Sequence, residues 1–477
     1  MTILPLHPAD NASPEALGSF LAKCREAARQ DGRSRLVSIS LAVDALDPLA
    51  VLESIFDPGE PHFYAEQPAS GSAIAGAEVA AVHETTGAGR FAEVQQWMDD
   101  LLARTIAVGD VAAPFGGPHF FAGFTFRDEV EPGEPFPAAY AFVPCWQVAR
   151  AGATTTAVAN LMVAPDADLE ALTARVWRAH LKFRRFEYGP GEPARNGPGS
   201  EVETRSGPTT TETGDYRAAV AQALKRIASG ELRKIVLARA LDLDAGRPLH
   251  PLRMLNRLRQ RFPDCYSFSF AHGRGPSFIG ASPERLVRVR QGTLETEALA
   301  GSIGRGVGAS EDAALADVLR HSEKDLREQR DVLDDIVARL TPLGIEPEFA
   351  ALPEVRRLAN VQHLHTAVRA ALPAGVRPLE VVAAMHPTPA VGGSPREAAL
   401  ARMRELEGFP RGLYAGALGW LNARGGGEFF VGIRSALVDG SRARIHAGAG
   451  IVAGSTPEKE FAETELKFKA MLDAFVA

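Results

Sequence analysis

The stretch GLYAGALGWLNARGGGEFFVGIRSALVDGSRARIHA occupies residues 412–447. Three runs in it, 412–421, 428–437 and 442–447, are rich in aromatic and branched residues and are parted by only a few Gly, Asn, Asp and Ser residues. Such runs read as strands, and linkers this short leave no room for the helix that a parallel crossover needs. Neighbouring strands here must run antiparallel. The same texture continues upstream at 265–271, 277–279 and 286–290, and at KIVLARAL, residues 234–241. Before that strand, Tyr216, Val220, Leu224 and Ile227 fall on one helical face and Gly230 stands where a C′ glycine ends a helix. Further helices are expected at about 249–260, 311–341, 395–406 and 457–475. Nearer the N-terminus, residues 35–41 and 119–124 read as strands and 14–30 and 91–106 as helices. The expected class is α/β, with large, mainly antiparallel sheets.

Residues 189–214 are rich in Gly, Pro, Thr, Glu and Ser and read as a flexible connection between 1–188 and 215–477. Across the chain, 52 Lys+Arg stand against 59 Asp+Glu, a net charge of −7. That sign excludes electrostatic capture of nucleic acid or of an anionic membrane, so an anionic ligand must be met locally. Cys24, Cys145 and Cys265 lie about 120 residues apart, which is neither a disulfide framework nor a zinc knuckle. No run approaches the roughly 18 apolar residues of a membrane helix, and the first residues lack a basic, then apolar, leader; a reducing cytoplasm is the simplest compartment. The phosphate-binding loop GxxxxGK[ST], HExxH and the GxSxG elbow are missing, and GSIGRG at 301–306 only loosely imitates a dinucleotide fingerprint.

Candidate chemistry begins with the last helix. Glu460, Glu463 and Lys467 are at i, i+3 and i+7 and share a side, while Phe461, Phe468, Leu472 and Phe475 form a separate apolar stripe. Ser455-Thr456-Pro457-Glu458 reads as a capping box, and the small-residue segment 447–454 lets backbone amides approach a ligand oxygen. Taken alone, such a charged row reads first as a solvated salt-bridge face. Asp325 and Glu328 share a face of a second helix, and the two pairs brought together would make an oxygen-rich site suited to Mg²⁺. Nothing in the spacing places those helices side by side. Glu284 follows Ser282-Pro283 in a turn, and Pro387 and Pro389 stiffen the 386–393 loop. Arg434, a charge in an apolar run, calls for a carboxylate partner, and Lys234 either snorkels or is a partly desolvated base.

In order, residues 234–239 (KIVLAR), 280–284 (GASPE), 299–302 (LAGS), 322–325 (SEKD), 386–390 (HPTPA), 447–452 (AGAGIV) and Glu460-x-x-Glu463-x-x-x-Lys467 resemble the chorismate-utilising enzymes, and among them the isochorismate synthases. The resemblance is close over 215–477 and general over 1–188. It implies one chorismate-binding α/β domain over 1–477, two large sheets packed together with helices outside. It further implies Glu328 and Glu463 as direct Mg²⁺ ligands, with Asp325 and Glu460 reaching the metal through water. Asp325 is a departure, since several relatives carry glutamate there. Lys467 and the Gly448, Ala449 and Gly450 amides resemble groups that assist at the ring carboxylate, and Tyr414 and Arg434 a clamp on the enolpyruvyl carboxylate. His363, Leu299, Gly301, Ser302 and Ala390 resemble further substrate-site residues.

Moving a hydroxyl from C4 to C2 needs a base to activate water and an acid to protonate the leaving group. Lys234 resembles the base and Glu284 the acid. Free lysine titrates near ~10.4 and glutamate near ~4.3, so each must be moved toward neutrality. Lysine at 234, where ammonia-using relatives carry glutamine, favours water as nucleophile. Ala390, where pyruvate-expelling salicylate synthases tend to carry threonine, favours release of isochorismate, with a salicylate synthase or a non-catalytic chorismate-binding relative as the alternatives. Because water enters and water leaves, a reversible reaction without a redox cofactor is expected; no glutaminase subunit is expected, a monomer is preferred, and the sequence leaves open whether the product feeds menaquinone, siderophore or salicylate synthesis.

Overall fold

The run AYAFVPCWQVA within the strand Ala139–Ala151 is apolar almost without alternation, and all eleven of these residues are buried. A strand of that kind is covered on both faces. In the computed structural model, which describes residues 1–4, 13–184, 208–358 and 361–476, it is the fork of the fold. One edge pairs along its whole length with Ser72–Thr85. The other edge is shared between His119–Phe124 and Thr154–Val163.

From the fork one sheet runs through Ser72–Thr85, Pro61–Gln67, Tyr266–His272, Ser277–Ser282, Ser435–Asp439 and Arg442–Val452 to Lys234–Asp244. A second runs through His119–Phe124, Ala417–Asn422, Gly427–Val431, Arg285–Arg290 and Thr293–Gly304 to Val361–Ala371. Every one of these pairings is antiparallel, as the short linkers predict. Parallel pairing occurs at the far edge, where Thr105–Gly109 lies between Arg35–Val43 and Thr2–Leu4.

Aromatic side chains fill the space between the sheets. Phe268 of the first meets Phe430 of the second with ring centroids 5.0 Å apart, and Tyr266 stacks on Phe430 at 5.2 Å. At Gly123 an added Cβ would come within 2.5 Å of Phe270, so that strand's backbone must lie directly against the facing ring.

Several boundaries differ from the sequence reading, each for a local reason. The helix expected over 91–106 ends at Ala103, because β-branched Thr105 and Ile106 are taken into the parallel edge. The helix expected over 311–341 is two, Ala309–His321 and Glu323–Leu340; Ser322 is extended and its hydroxyl caps the second by accepting from the Asp325 N–H at 3.3 Å. The 412–421 run becomes strand only at Ala417, and 428–437 is two strands, Gly427–Val431 and Ser435–Asp439. Both interruptions carry a non-glycine residue in the left-handed region, Ala415 at φ 59° and Arg434 at φ 50°. The 442–447 strand runs on to Val452, since its partner Lys234–Asp244 is that long. Within the expected connection, Thr209–Thr213 is a strand paired to residues 240–244; residues 189–207 lie outside the described residues. Thr456 rather than Ser455 caps the last helix, its hydroxyl facing the Lys459 N–H at 3.4 Å.

Candidate active site

A cavity of about 200 Å³ lies where the ends of the two sheets meet the helices Glu323–Leu340 and Pro457–Val476. Lys234, Glu284, Leu299, Gly301, Ser302, Asp325, Glu328, His363, Ala390, Tyr414, Arg434, Gly448, Gly450, Glu460, Glu463 and Lys467 all line it. The sequence separation of these residues had left that convergence open. A larger cavity of about 670 Å³, bordered by Glu66, Tyr266 and Trp420, includes none of them.

Ala449 is the exception and does not line the cavity. Side chains alternate along a strand, so Gly448 and Gly450 face the site while the Ala449 methyl is buried on the opposite face. At Gly450 an added Cβ would lie 3.1 Å from Lys234 Cε and 3.7 Å from Glu328 Oε1; at Gly448 it would lie 2.8 Å from the Tyr414 hydroxyl. Main-chain direction follows the same alternation. Opposite Gly448, the Ala238 N–H bonds to Glu407 Oε1 at 2.7 Å, and opposite Gly450 the Val236 N–H bonds to the Gly392 carbonyl at 2.8 Å, so neither donates across the ladder. The polar groups of Gly448 and Gly450 therefore point to the open edge, where Lys467 Nζ already donates to the Gly448 carbonyl at 2.7 Å. Gly450→Ala is expected to raise KM for the bound anion at least tenfold with a nearly unchanged melting temperature, checked by steady-state kinetics and calorimetry.

Glu284 is buried at the end of Ser277–Ser282, and Thr388 Oγ1 donates to its carboxyl at 3.2 Å. Burial raises it to about 7, with Glu297 adding to the rise and Thr388 and Lys234 opposing it. Lys234 opens its strand and donates from Nζ to Glu328 Oε1 at 2.8 Å. On the last helix Lys467 donates to Glu463 Oε1 at 2.7 Å. Burial pushes Glu463 up, but Lys467 and Arg434 outweigh it and hold the carboxyl below its ordinary range. Glu460 stays raised by burial, against a hydrogen bond from Ser455. Asp325 is held by the Ser322 hydroxyl.

Gly301 sits at a register shift between Ala300 and Ser302, with φ at 70°; an added Cβ would lie 2.9 Å from Asp325 Cβ. This bulge brings the strand against the acidic helix. Ser302 Oγ meets His363 Nδ1 at 2.7 Å, and burial, then Arg434 and Lys467, lower His363 to about 3. Tyr414 is pushed by burial to about 12 and remains a phenol. Arg434, at the left-handed break between two strands, is half-buried; its charge acts on Glu463, but it makes no ion pair within 4 Å among the described residues. Lys234 and Lys467 have direct carboxylate partners in place; this guanidinium keeps its donors available for a carboxylate from outside.

Besides Glu284, the four carboxylates of Asp325, Glu328, Glu460 and Glu463 line the cavity with oxygen donors only, the chemistry a hard divalent cation takes. They do not form a ready-made cage: among the described residues no three potential ligands cluster closely enough to hold a metal. Glu328 and Glu463 instead hold lysines, each through one oxygen, leaving the other free.

The sequence profile of the "Chorismate binding enzyme" family matches residues 19–476. The chain belongs to this family. It is 37% identical over 458 residues to the salicylate biosynthesis isochorismate synthase of Pseudomonas aeruginosa, covering 93% of this chain and 91% of the relative. Isochorismate synthase MenF of Bacillus subtilis is 31% identical over 460 residues, covering 94% and 95%. The solved structure of MenF, the menaquinone-specific isochorismate synthase of Escherichia coli, superposes with a TM-score of 0.74 at 25% identity, covering 96% of this chain and 100% of that one. The two-sheet architecture expected from the motifs is thus the family's fold.

Thr388, which reaches the site through Glu284, and the wall residues Lys324 and His446 escape the sequence reading of roles. Thr388 and Lys324 stand inside motifs singled out above, the first as partner of Glu284, the second as a further cation on the wall. His446 precedes Gly448 and Gly450 by two and four positions, so strand alternation alone places it on the site face. No helix among the described residues is long and apolar enough to cross a membrane.

Proposed function

We propose that the chain is an isochorismate synthase, an isomerase that exchanges the C4 hydroxyl of chorismate for one at C2 with the help of Mg²⁺. The observation that carries this reading is one cavity holding Lys234, a buried Glu284 raised to about 7, and an unpartnered Arg434. Isomerisation needs a proton acceptor, a proton donor and an anion clamp, and these three side chains are suited to those tasks.

Arg434 and Tyr414 hold the enolpyruvyl carboxylate, while Lys467 and the Gly448 and Gly450 main chain border the ring carboxylate. Lys234 accepts a proton from the water that adds at C2, and Glu284, half protonated near neutrality, gives its proton to the hydroxyl leaving C4. Water enters and water leaves, so the reaction is reversible. As placed, Lys234 is engaged with Glu328, and that contact must open before the amine can act as a base. Glu328 and Glu463 would hold Mg²⁺, with Asp325 and Glu460 beyond, and the ion would neutralise the ring carboxylate.

Purified protein incubated with chorismate and Mg²⁺ is expected to yield isochorismate without pyruvate, to ignore added ammonium, and to lose turnover in EDTA and regain it with Mg²⁺. Stoichiometric pyruvate with salicylate, or an aminated product, would overturn the assignment; turnover unaffected by EDTA would overturn the metal.

A further inference from the structure

His446 is a buried residue of the cavity wall to which the mechanism above gives no task. Neither ring nitrogen has a hydrogen-bond partner among the described residues. The imidazole stacks on Tyr414, ring centroids 4.8 Å apart and planes within 17°, and its residue pairs across the ladder with Ser435, the neighbour of Arg434. It therefore stands beside Tyr414 and next to the strand that Arg434 precedes. A buried donor left without an acceptor is costly, so its place on the wall is explained when a ligand completes it. Burial, with Arg444 and Arg411 adding, lowers His446 to about 3, so the ring is neutral and keeps one N–H to donate.

We propose that His446 is a specificity residue that donates a hydrogen bond to the enolpyruvyl carboxylate beside Arg434 and Tyr414. This rests on the chorismate reading above and adds a third contact to that clamp. A neutral donor supplies direction without a second charge, so it discriminates ligands that carry this carboxylate from ring acids that lack it.

His446→Phe keeps the stack on Tyr414 and removes both nitrogens. Calorimetric titration should show chorismate binding about tenfold weaker, with KM raised to match and kcat little changed. A cyclohexadiene carboxylate lacking the enolpyruvyl ether should bind wild type and His446→Phe equally. Thermal unfolding should show the variant at least as stable as wild type, because an unsatisfied buried group has been removed; His446→Gln should recover part of the affinity. Unchanged chorismate affinity in His446→Phe, or equal weakening toward both ligands, would overturn the proposal. If wild type itself binds no chorismate, the functional reading fails first, and the two failures are distinguishable.

Discussion

Glu284→Gln is expected to lower kcat by about 10³-fold while leaving chorismate affinity within a few-fold of wild type. The amide keeps the volume and can still meet the Thr388 hydroxyl, but it has no proton to give. The same carboxyl sets an alkaline limb for the wild-type enzyme. Its folded value of about 7 is raised chiefly by burial, so the competent, protonated form is full well below that pH and drains away above it. A pH profile of kcat/KM should fall tenfold per unit above about 7, and the limb should vanish from the residual activity of Glu284→Gln. The linkage runs the same way for stability. A carboxyl whose folded value lies above its unfolded value stabilises the native state at low pH, and that contribution is lost as pH rises through about 7. Activity retained at a tenth of wild type or more in Glu284→Gln would refute the role of acid.

Lys234→Ala is expected to lower turnover by about 10²–10⁴-fold, the range of a general base, without unfolding the chain. The residue begins its strand, and its backbone pairs with Val452 and Ser394 regardless of side chain. Deleting the amine also releases Glu328 from its 2.8 Å contact. Mg²⁺ affinity measured by calorimetry should therefore rise or hold while kcat collapses. A parallel loss of metal affinity and turnover would instead mark Lys234 as part of the metal's surroundings, and easy turnover would dismiss it as the base.

Much of the site was legible because its residues sit at element ends that sequence marks well. Lys234 opens a branched-residue strand, Glu284 follows Ser-Pro, and Glu460, Glu463 and Lys467 share a helix face by counting. What sequence left open was convergence, since residues 234 and 463 meet only through a strand order fixed by long-range pairing. Arg434 shows a second limit. An apolar run of ten residues was read as one strand, yet left-handed backbone at Arg434 breaks it, and side-chain alternation cannot announce a residue that leaves the alternation. Ala449 fails for the opposite reason: a three-residue motif was treated as one surface, whereas a pleated strand offers only alternate members to one side. Thr209–Thr213 shows the bias of composition, for threonine-rich sequence at the margin of a polar segment joins the sheet as an exposed outer strand.

The two lysine–glutamate contacts, Lys234 with Glu328 and Lys467 with Glu463, mean that the ligand-free pocket largely balances its own charges. On the proposed function, a dianion arriving with a divalent cation would bring a nearly neutral package and exchange one set of counterions for another. Affinity then depends little on bulk attraction and should tolerate salt better than an open basic cleft would. Arg434 stands outside those two pairs, so part of the discrimination between mono- and dianionic acids would fall to a guanidinium set on a kink between two strands.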